Sequence, residues 1–227
     1  MAINKHIFFY AALITLLLFI SIYSLNAYLN SQREKAVIDR MQDILDEYQE
    51  IQTLSLMSEV FGKEMTCPSS ENTLSQLDKT LWDTGLKIDK YREATENFIT
   101  DPFYINQKIK FNRNEAIYFS MFRKMKDACN VNQTVISFFY KKKEFCKDCD
   151  AQSFVLTDIN KEIGDEIAIF SFDADLGLPS IKSLEAFFNV TSFPCMVIES
   201  GTYCGLKDKN EVIDIICKYR HHSICKN

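Results

Sequence analysis

An uncharged apolar run near the amino terminus constrains this chain more than any other feature. Residues 7–23 read IFFYAALITLLLFISIY and contain no charged side chain, and the apolar character continues to about Leu29. A helix of about 20 apolar residues crosses a hydrocarbon core of about 30 Å. A cleaved signal peptide is the alternative, because Lys5 precedes the run, but the run is long for one and no small-x-small cleavage site follows it. The sequence therefore predicts a transmembrane anchor over residues 1–30.

The sequence gives conflicting indications of the side of the membrane on which the rest of the chain lies. Lys5 precedes the apolar run, whereas three basic residues follow it within residues 33–40, and positive charge after the run favours a cytoplasmic location for the large domain. The number of cysteines favours the opposite side, as do two sequons, Asn132-Gln133-Thr134 and Asn189-Val190-Thr191. Large C-terminal domains cross the membrane with limited regard for nearby charge. We therefore expect a single-pass membrane protein with an extracytoplasmic soluble domain.

Composition sets several classes of protein aside. The net charge is −5 with both signs scattered along the chain, which argues against nucleic-acid binding because that needs a basic stripe. Glycine and proline are scarce, with 6 and 4 copies, so long flexible or proline-rich linkers are not expected.

The cysteines indicate an oxidising compartment. The chain has eight of them, an even number after an apolar N-terminal segment, which is typical of proteins whose disulfides persist. Cys146 and Cys149 form a Cys-x-x-Cys motif, and the other six permit about 15 pairings. The pairs that we expect are Cys67–Cys129, Cys217–Cys225 and Cys195–Cys204. The alternative is that several of these are buried free thiols, since cysteine packs well as a small apolar residue.

The segment that follows the anchor is helical by pattern. Apolar residues recur at three- and four-residue steps from Ser31 to about Phe61, with charged residues on the other face. Cys67-Pro68 breaks this pattern, and Thr100-Asp101-Pro102 marks a second boundary before a third helix that ends near Cys129. We expect residues 31–129 to form a helical spacer domain that holds the rest of the chain away from the bilayer.

The last hundred residues alternate between strand-like and helix-like patterns, which predicts an α/β domain over residues 130–227. Two β-rich runs are separated by an amphipathic stretch, so a right-handed crossover would make them parallel neighbours. The predicted order is a strand at 135–140, a helix after Cys149, a strand at 167–172, a helix at 179–188, strands at 195–198 and 202–204, and a helix at 209–219.

The Cys-x-x-Cys motif lies where a strand leads into a helix, which is a position suited to redox chemistry. A cysteine at a helix amino terminus faces unpaired backbone N–H groups, and these stabilise its thiolate. We expect Cys146 to begin this helix as the exposed attacking nucleophile. Cys149, one turn deeper, would then resolve the mixed disulfide.

These motifs resemble those of the thioredoxin superfamily. A strand, a loop, Phe145, the Cys-x-x-Cys motif and a helix occur in the family's order, and Phe193-Pro194 stands between a helix and a hairpin, as the family's cis-proline does. The resemblance covers about residues 130–219. It implies an α/β fold with a thioredoxin-like C-terminal domain, preceded by a helical segment and one N-terminal transmembrane helix.

The resemblance also implies a function: a membrane-anchored thiol–disulfide oxidoreductase with Cys146 and Cys149 as catalytic residues. It places Phe193 and a cis Pro194 in the substrate-binding site. The expected partners are protein thiol or disulfide substrates and a membrane-embedded redox partner, and no cofactor is needed because the cysteines carry the electrons. Ser137 stands where thioredoxins carry a buried acidic residue, so an oxidase, an isomerase and a reductase with few substrates all stay open.

Two other functions compete with this one. The domain can be a redox-inactive thioredoxin-like interaction module, since folds often keep their shape after losing their chemistry. A zinc or copper site is the second alternative, because thiolates and imidazoles are good ligands for these metals. Its candidate ligands are Cys146, Cys149, His221, His222 and Cys225.

Overall fold

The computed structural model describes residues 5–62, 67, 74, 76–88 and 101–225. It shows a mixed α/β structure in which one four-stranded sheet follows a helix-rich N-terminal part, as the sequence predicts. The elements are α1 (Lys5–Phe61), α2 (described over residues 76–88), α3 (Pro102–Cys129), β1 (Thr134–Tyr140), α4 (Cys149–Ile163), β2 (Ile167–Asp173), α5 (Pro179–Phe187), β3 (Cys195–Ile198), β4 (Gly201–Cys204) and α6 (Lys209–Tyr219).

One uninterrupted helix carries both the apolar run and the segment after it. α1 is 57 residues long, and it is long and apolar enough to cross a membrane, with a mean hydropathy of 2.2 in its most apolar stretch. The side chains of residues 8–33 are exposed, whereas Val37, Met41 and Ile44 are buried. From Val37 onward α1 therefore packs against the rest of the chain and does not extend as a free spacer.

The sheet has the strand order β2-β1-β3-β4. β1 and β2 are parallel neighbours, with Thr134 opposite Ile167 and Tyr140 opposite Asp173, which confirms the predicted crossover. β3 is antiparallel to both β1 and β4. Successive side chains of a strand point to opposite faces of the sheet. As a result α4 and α6 cover one face, and α3 and α5 cover the other.

A single cluster of buried side chains joins the N-terminal helices to the sheet. It contains Val37 of α1, Phe119 of α3 and Phe172 of β2, and the last two rings are 5.8 Å apart between centroids in an edge-to-face arrangement. The predicted boundary between residues 129 and 130 thus falls inside a shared core. The division of the chain into domains stays a prediction.

The outer edge of β2 is covered by α3. A strand edge exposes unpaired backbone N–H groups, and burying them without partners is costly. The side-chain oxygen of Asn112 accepts a hydrogen bond from the backbone N–H of Asp173 at 2.8 Å, and Glu115 accepts one from the N–H of Ser171. Polar side chains of a helix therefore take the place of a fifth strand.

Three disulfides confirm the pairs expected outside the Cys-x-x-Cys motif. The bond between Cys67 and Cys129 ties the segment after α1 to the end of α3, with the two Cα atoms 5.3 Å apart. The other two join the neighbouring strands β3 and β4 and close the loop after α6. These pairs are Cys195–Cys204 and Cys217–Cys225.

Replacing Asn112 with alanine tests the edge-covering contact. The Asn112→Ala change leaves the N–H of Asp173 buried without its acceptor, which is expected to lower the free energy of unfolding by about 1–3 kcal/mol. Chemical denaturation of the detergent-solubilised chain, followed by circular dichroism, measures the loss. Asn210→Ala, on an exposed side of α6, is the matched control, and an equal effect of the two changes would contradict the proposed role of Asn112.

Candidate functional site

The Cys-x-x-Cys motif follows β1 and its two cysteines are joined by a disulfide. α4 begins at Cys149, and Cys146 lies before the helix in a turn. The expectation that Cys146 begins the helix is therefore wrong. The turn forms because the N–H groups of Phe145 and Cys146 both donate to the carbonyl of Lys142 at 2.9 Å, which folds the long loop back before the helix can start. The backbone N–H groups in the first turn of α4 have no partners within the helix, and they lie at the same end of α4 as the Cys-x-x-Cys motif.

Both cysteines are largely buried. Cys146 is 5% exposed and Cys149 is 3% exposed, so the expectation of an exposed Cys146 is wrong as well. The residues that flank Cys146 in the turn are nevertheless exposed, and Phe145 is 72% exposed. The buried Cys146 therefore lies between exposed residues of a short surface turn. The backbone N–H of Lys141 donates to the sulfur of Cys149 at 3.5 Å, a bond that would stabilise a thiolate there after reduction.

Pro194 lies level with the end of β1. The Phe193–Pro194 peptide bond is cis, as the resemblance implied, and the next residue, Cys195, pairs with Phe139 of β1. Lys141 joins the two parts of the site. Its N–H contacts Cys149, and its ammonium group lies 4.6 Å from the centroid of the Phe193 ring.

A cavity of about 170 Å³ lies beside Cys149, where α2, α3 and α4 meet the edge of the sheet. Cys149 and Tyr140 line it together with Trp82 of α2, and Lys108 and Glu115 of α3. Sequence reasoning missed the α3 residues because an isolated polar residue in a helical pattern is ordinarily read as solvent-exposed.

Lys108 and Asp173 form a buried ion pair at the wall of this cavity. The ammonium group of Lys108 also lies 5.3 Å from the centroid of the Tyr140 ring. Burial by itself lowers the pKa of Lys108, but Tyr140, Asp173 and Tyr104 outweigh it, so that the pKa is raised. Lys108 is therefore positively charged, is paired with Asp173, and lines the same cavity as Cys149.

Glu115 is a buried carboxyl group that is protonated over much of the neutral range. Burial raises its pKa to about 8, against the opposing effect of the hydrogen bond from Ser171 and with a further rise from the charge of Asp78. One oxygen of Glu115 accepts the bond from Ser171, and the other has no hydrogen-bond partner among the described residues. The neutral form avoids the cost of a buried unpaired charge.

The raised pKa of Glu115 predicts that the folded state loses stability as the pH rises. The folded state holds the proton more tightly than the unfolded state, whose pKa is near 4.5, so stability falls between about pH 4.5 and pH 8. Glu115→Gln keeps an oxygen acceptor and removes the ionisation. It is expected to recover as much as about 4 kcal/mol of the loss at pH 8, measured by chemical denaturation at pH 5 and pH 8.

Two comparisons make this measurement specific. Asp78 also lowers the stability of the wild-type chain as the pH rises, because burial and then the charge of Asp165 raise its pKa to about 7 against the opposing effect of Lys79. The Glu115→Gln variant is therefore expected to keep a smaller loss of stability between pH 5 and pH 8. Glu144→Gln, at an exposed position, should leave the pH dependence unchanged. An unchanged pH dependence in the Glu115→Gln variant would show that Glu115 ionises normally.

The ligands of the alternative metal site are not brought together. His222 is 3% exposed and lies at the start of β1, where one ring nitrogen is 2.7 Å from the hydroxyl oxygen of Thr134 and the other 3.1 Å from Glu166. Cys225 is bonded to Cys217, whereas Cys146 and Cys149 follow the far end of the same strand. In the part of the chain that the structure describes, no group of three or more His, Cys, Asp or Glu side chains is suited to hold a metal ion.

Comparison with known proteins gives matches among solved structures only. No protein-family model and no curated protein matches the chain. A malarial protein is 24% identical, covering 38% of this chain and 97% of its own, and thioredoxin-2 of the malaria parasite is 24% identical, covering 38% and 84%. The germline-specific thioredoxin Deadhead of Drosophila melanogaster is 14% identical, covering 44% and 92%. The TM-score is 0.34 in each case.

Proposed function

We propose that this chain is a membrane-anchored thiol–disulfide oxidoreductase of the thioredoxin-like superfamily, which exchanges disulfides with protein substrates through Cys146 and Cys149. The observation that carries the proposal is that the Cys146–Cys149 disulfide and Phe193-Pro194 lie at the same end of the sheet, where Lys141 contacts both Cys149 and the Phe193 ring. The order of strands and helices from β1 to α6 supports a thioredoxin-like domain.

The chemistry needs no group beyond the two cysteines. In the reducing direction, the thiolate of Cys146 attacks one sulfur of a substrate disulfide, and the substrate's other sulfur leaves as a thiolate that takes up a proton. Cys149, as a thiolate, then attacks the sulfur of Cys146. This forms the Cys146–Cys149 disulfide and releases the second substrate thiol. Substrate oxidation is the same sequence in reverse, and a partner dithiol or disulfide must restore the starting state in either direction.

Anchoring is supported by α1, whose exposed apolar half is long enough to span a bilayer. The disulfides outside the motif support an extracytoplasmic location, because disulfides persist in oxidising compartments. A membrane-embedded oxidoreductase is the class of partner that suits a tethered redox domain.

The burial of both cysteines favours one competing function, a redox-inactive module that only binds partners. Sulfur atoms that substrates cannot reach do not exchange. The midpoint potential of the Cys146–Cys149 disulfide separates the two functions. A potential above about −300 mV supports exchange, whereas a lower value with no exchange in glutathione buffers supports the inactive module.

Substitution of the resolving cysteine tests the exchange mechanism. Cys149→Ala should leave Cys146 unable to release its substrate, so mixed disulfides should accumulate and disappear on reduction, as seen on non-reducing gels. Cys146→Ala should abolish them. The double variant Cys217→Ala/Cys225→Ala removes a disulfide outside the site and should exchange a model peptide disulfide at the normal rate. Equal trapping by the Cys149→Ala and Cys146→Ala variants would contradict the assigned roles.

Membrane extraction tests the anchor. The full chain should stay in the membrane pellet after alkaline carbonate treatment, because a spanning helix of about 20 apolar residues is not released by removing charge contacts. A chain that lacks residues 1–29 should appear in the supernatant. Release of the full chain, or a mature chain shortened at its amino terminus, would favour the cleaved signal peptide.

A further inference from the structure

α3 runs antiparallel to β1 and β2, as contacts at its two ends show. Near its start, Lys108 pairs with Asp173, the last residue of β2. Near its end, the ammonium group of Lys126 donates to the carbonyl of Gln133, just before β1 begins, at 2.7 Å. The amino-terminal end of α3 therefore lies beside the carboxyl ends of both strands, where the disulfide is.

α1 runs parallel to α3. At the start of the packed part of α1, Ile38 and Met41 line a surface cavity of about 310 Å³ together with Gln107 of α3. Further along both helices, Glu59 of α1 forms an ion pair with Lys124 of α3 at 2.6 Å. The part of α1 closest to the apolar run therefore lies beside the start of α3.

Together these directions place the disulfide at the end of the soluble part that is nearer to the apolar run. Lys108, Tyr140 and Cys149 line one cavity, so the start of α3 and the disulfide are at the same level. Between Leu29 and Met41 the helix rises about 18 Å, at about 1.5 Å per residue. Measured along the axis of α1, the disulfide is thus on the order of 20 Å beyond the end of the apolar run. The opposite end of β1 is about 20 Å farther away, which is the length of a seven-residue strand.

The surface around the disulfide carries charges of both signs and one exposed aromatic ring. Phe145, next to Cys146, is 72% exposed, and both basic and acidic residues are exposed within residues 142–148. This composition is compatible with a position near the bilayer, and the directions of the helices are the basis for the orientation.

We propose that the disulfide end of the domain faces the bilayer, and that the chain exchanges disulfides with cysteines that membrane proteins hold close to the membrane surface. The inference rests on the proposed function, both on the anchor and on the exchange. Its physical basis is that α1 is one continuous helix that packs onto the domain from Val37 onward. A stiff tether of this length fixes which end of the domain is presented to the membrane, and substrate sites that it cannot span are not reached.

Fluorescence quenching in vesicles tests the orientation. The single tryptophan is removed by Trp82→Phe, and the full chain is reconstituted into phosphatidylcholine and phosphatidylglycerol vesicles that carry dansyl-labelled headgroups, which quench tryptophan by energy transfer over distances of this order. Phe145→Trp then reports on the disulfide end. Asp165→Trp reports on the opposite end, just before β2, where the side chain of Asp165 is 85% exposed. The Phe145→Trp reporter should lose the larger share of its emission.

Each other outcome of the quenching experiment counts against the inference. Equal quenching of the two reporters, stronger quenching at position 165, or quenching of neither in a chain that floats with the vesicles would overturn the orientation. A chain that does not float would overturn the anchor, and the inference with it.

Two synthetic membrane-spanning peptides test the substrate class. Both carry the same disulfide loop, in one after a rigid helical spacer of about 12 residues, or about 18 Å, which matches the height of the disulfide, and in the other after a spacer of about 30 residues, or about 45 Å. The reduced chain in the same vesicles should exchange the near disulfide about tenfold faster or more, because the far one is beyond the reach of the tether. The rates are read by quenching the reaction with acid and analysing the thiols.

Equal rates for the two peptides, or a faster reaction of the far one, would overturn the inference. A soluble peptide with the same loop is the control for exchange itself. If it reacts and neither anchored peptide does, the membrane-facing orientation fails. If none of the three reacts, the exchange function fails, while the quenching result still decides the orientation.

Discussion

The structure depends on the way in which α3 closes the free edge of β2. The side chains of Asn112 and Glu115 accept hydrogen bonds from two backbone N–H groups of that strand, at Asp173 and Ser171. The sheet therefore ends at β2 without exposing a strand that another chain could pair with. The same helix contributes to the buried cluster that joins α1, from Val37 onward, to the sheet, so that the packed part of α1 and the sheet belong to one structure.

The spacing of these side chains along α3 explains how one helix serves both the edge and the site. Lys108, Asn112 and Glu115 are separated by four and three residues, so they lie on one face of the helix. Asn112 and Glu115 bind backbone groups, while Lys108 pairs with Asp173 and lies against Tyr140 at the end of β1. With Glu115 protonated, the pair of Lys108 and Asp173 supplies the formal charges of this buried face.

The disulfide is buried, but it lies next to an exposed turn. Cys146 is covered by the turn of residues 142–148, most of which are exposed. In the proposed function, a substrate would have to approach along the surface formed by this turn and by Phe193. Such an approach would favour partners presented in a fixed direction, as the proposed orientation of the domain requires.

Local patterns in the sequence determined the helices, the strands, the apolar N-terminal run and the position of the Cys-x-x-Cys motif after β1, because periodicity and turn residues act over a few neighbouring positions. The three disulfides outside the motif join the pairs that we expected. Local patterns do not determine these pairs, however, because six cysteines permit about 15 pairings. Only the tertiary structure decided that α4 begins at Cys149, that Cys146 is buried, and that Lys108, Asn112 and Glu115 face a strand edge. Those properties depend on contacts between residues far apart in the chain: Glu115 meets Ser171 and Lys108 meets Asp173 only once the helix and the sheet have packed together.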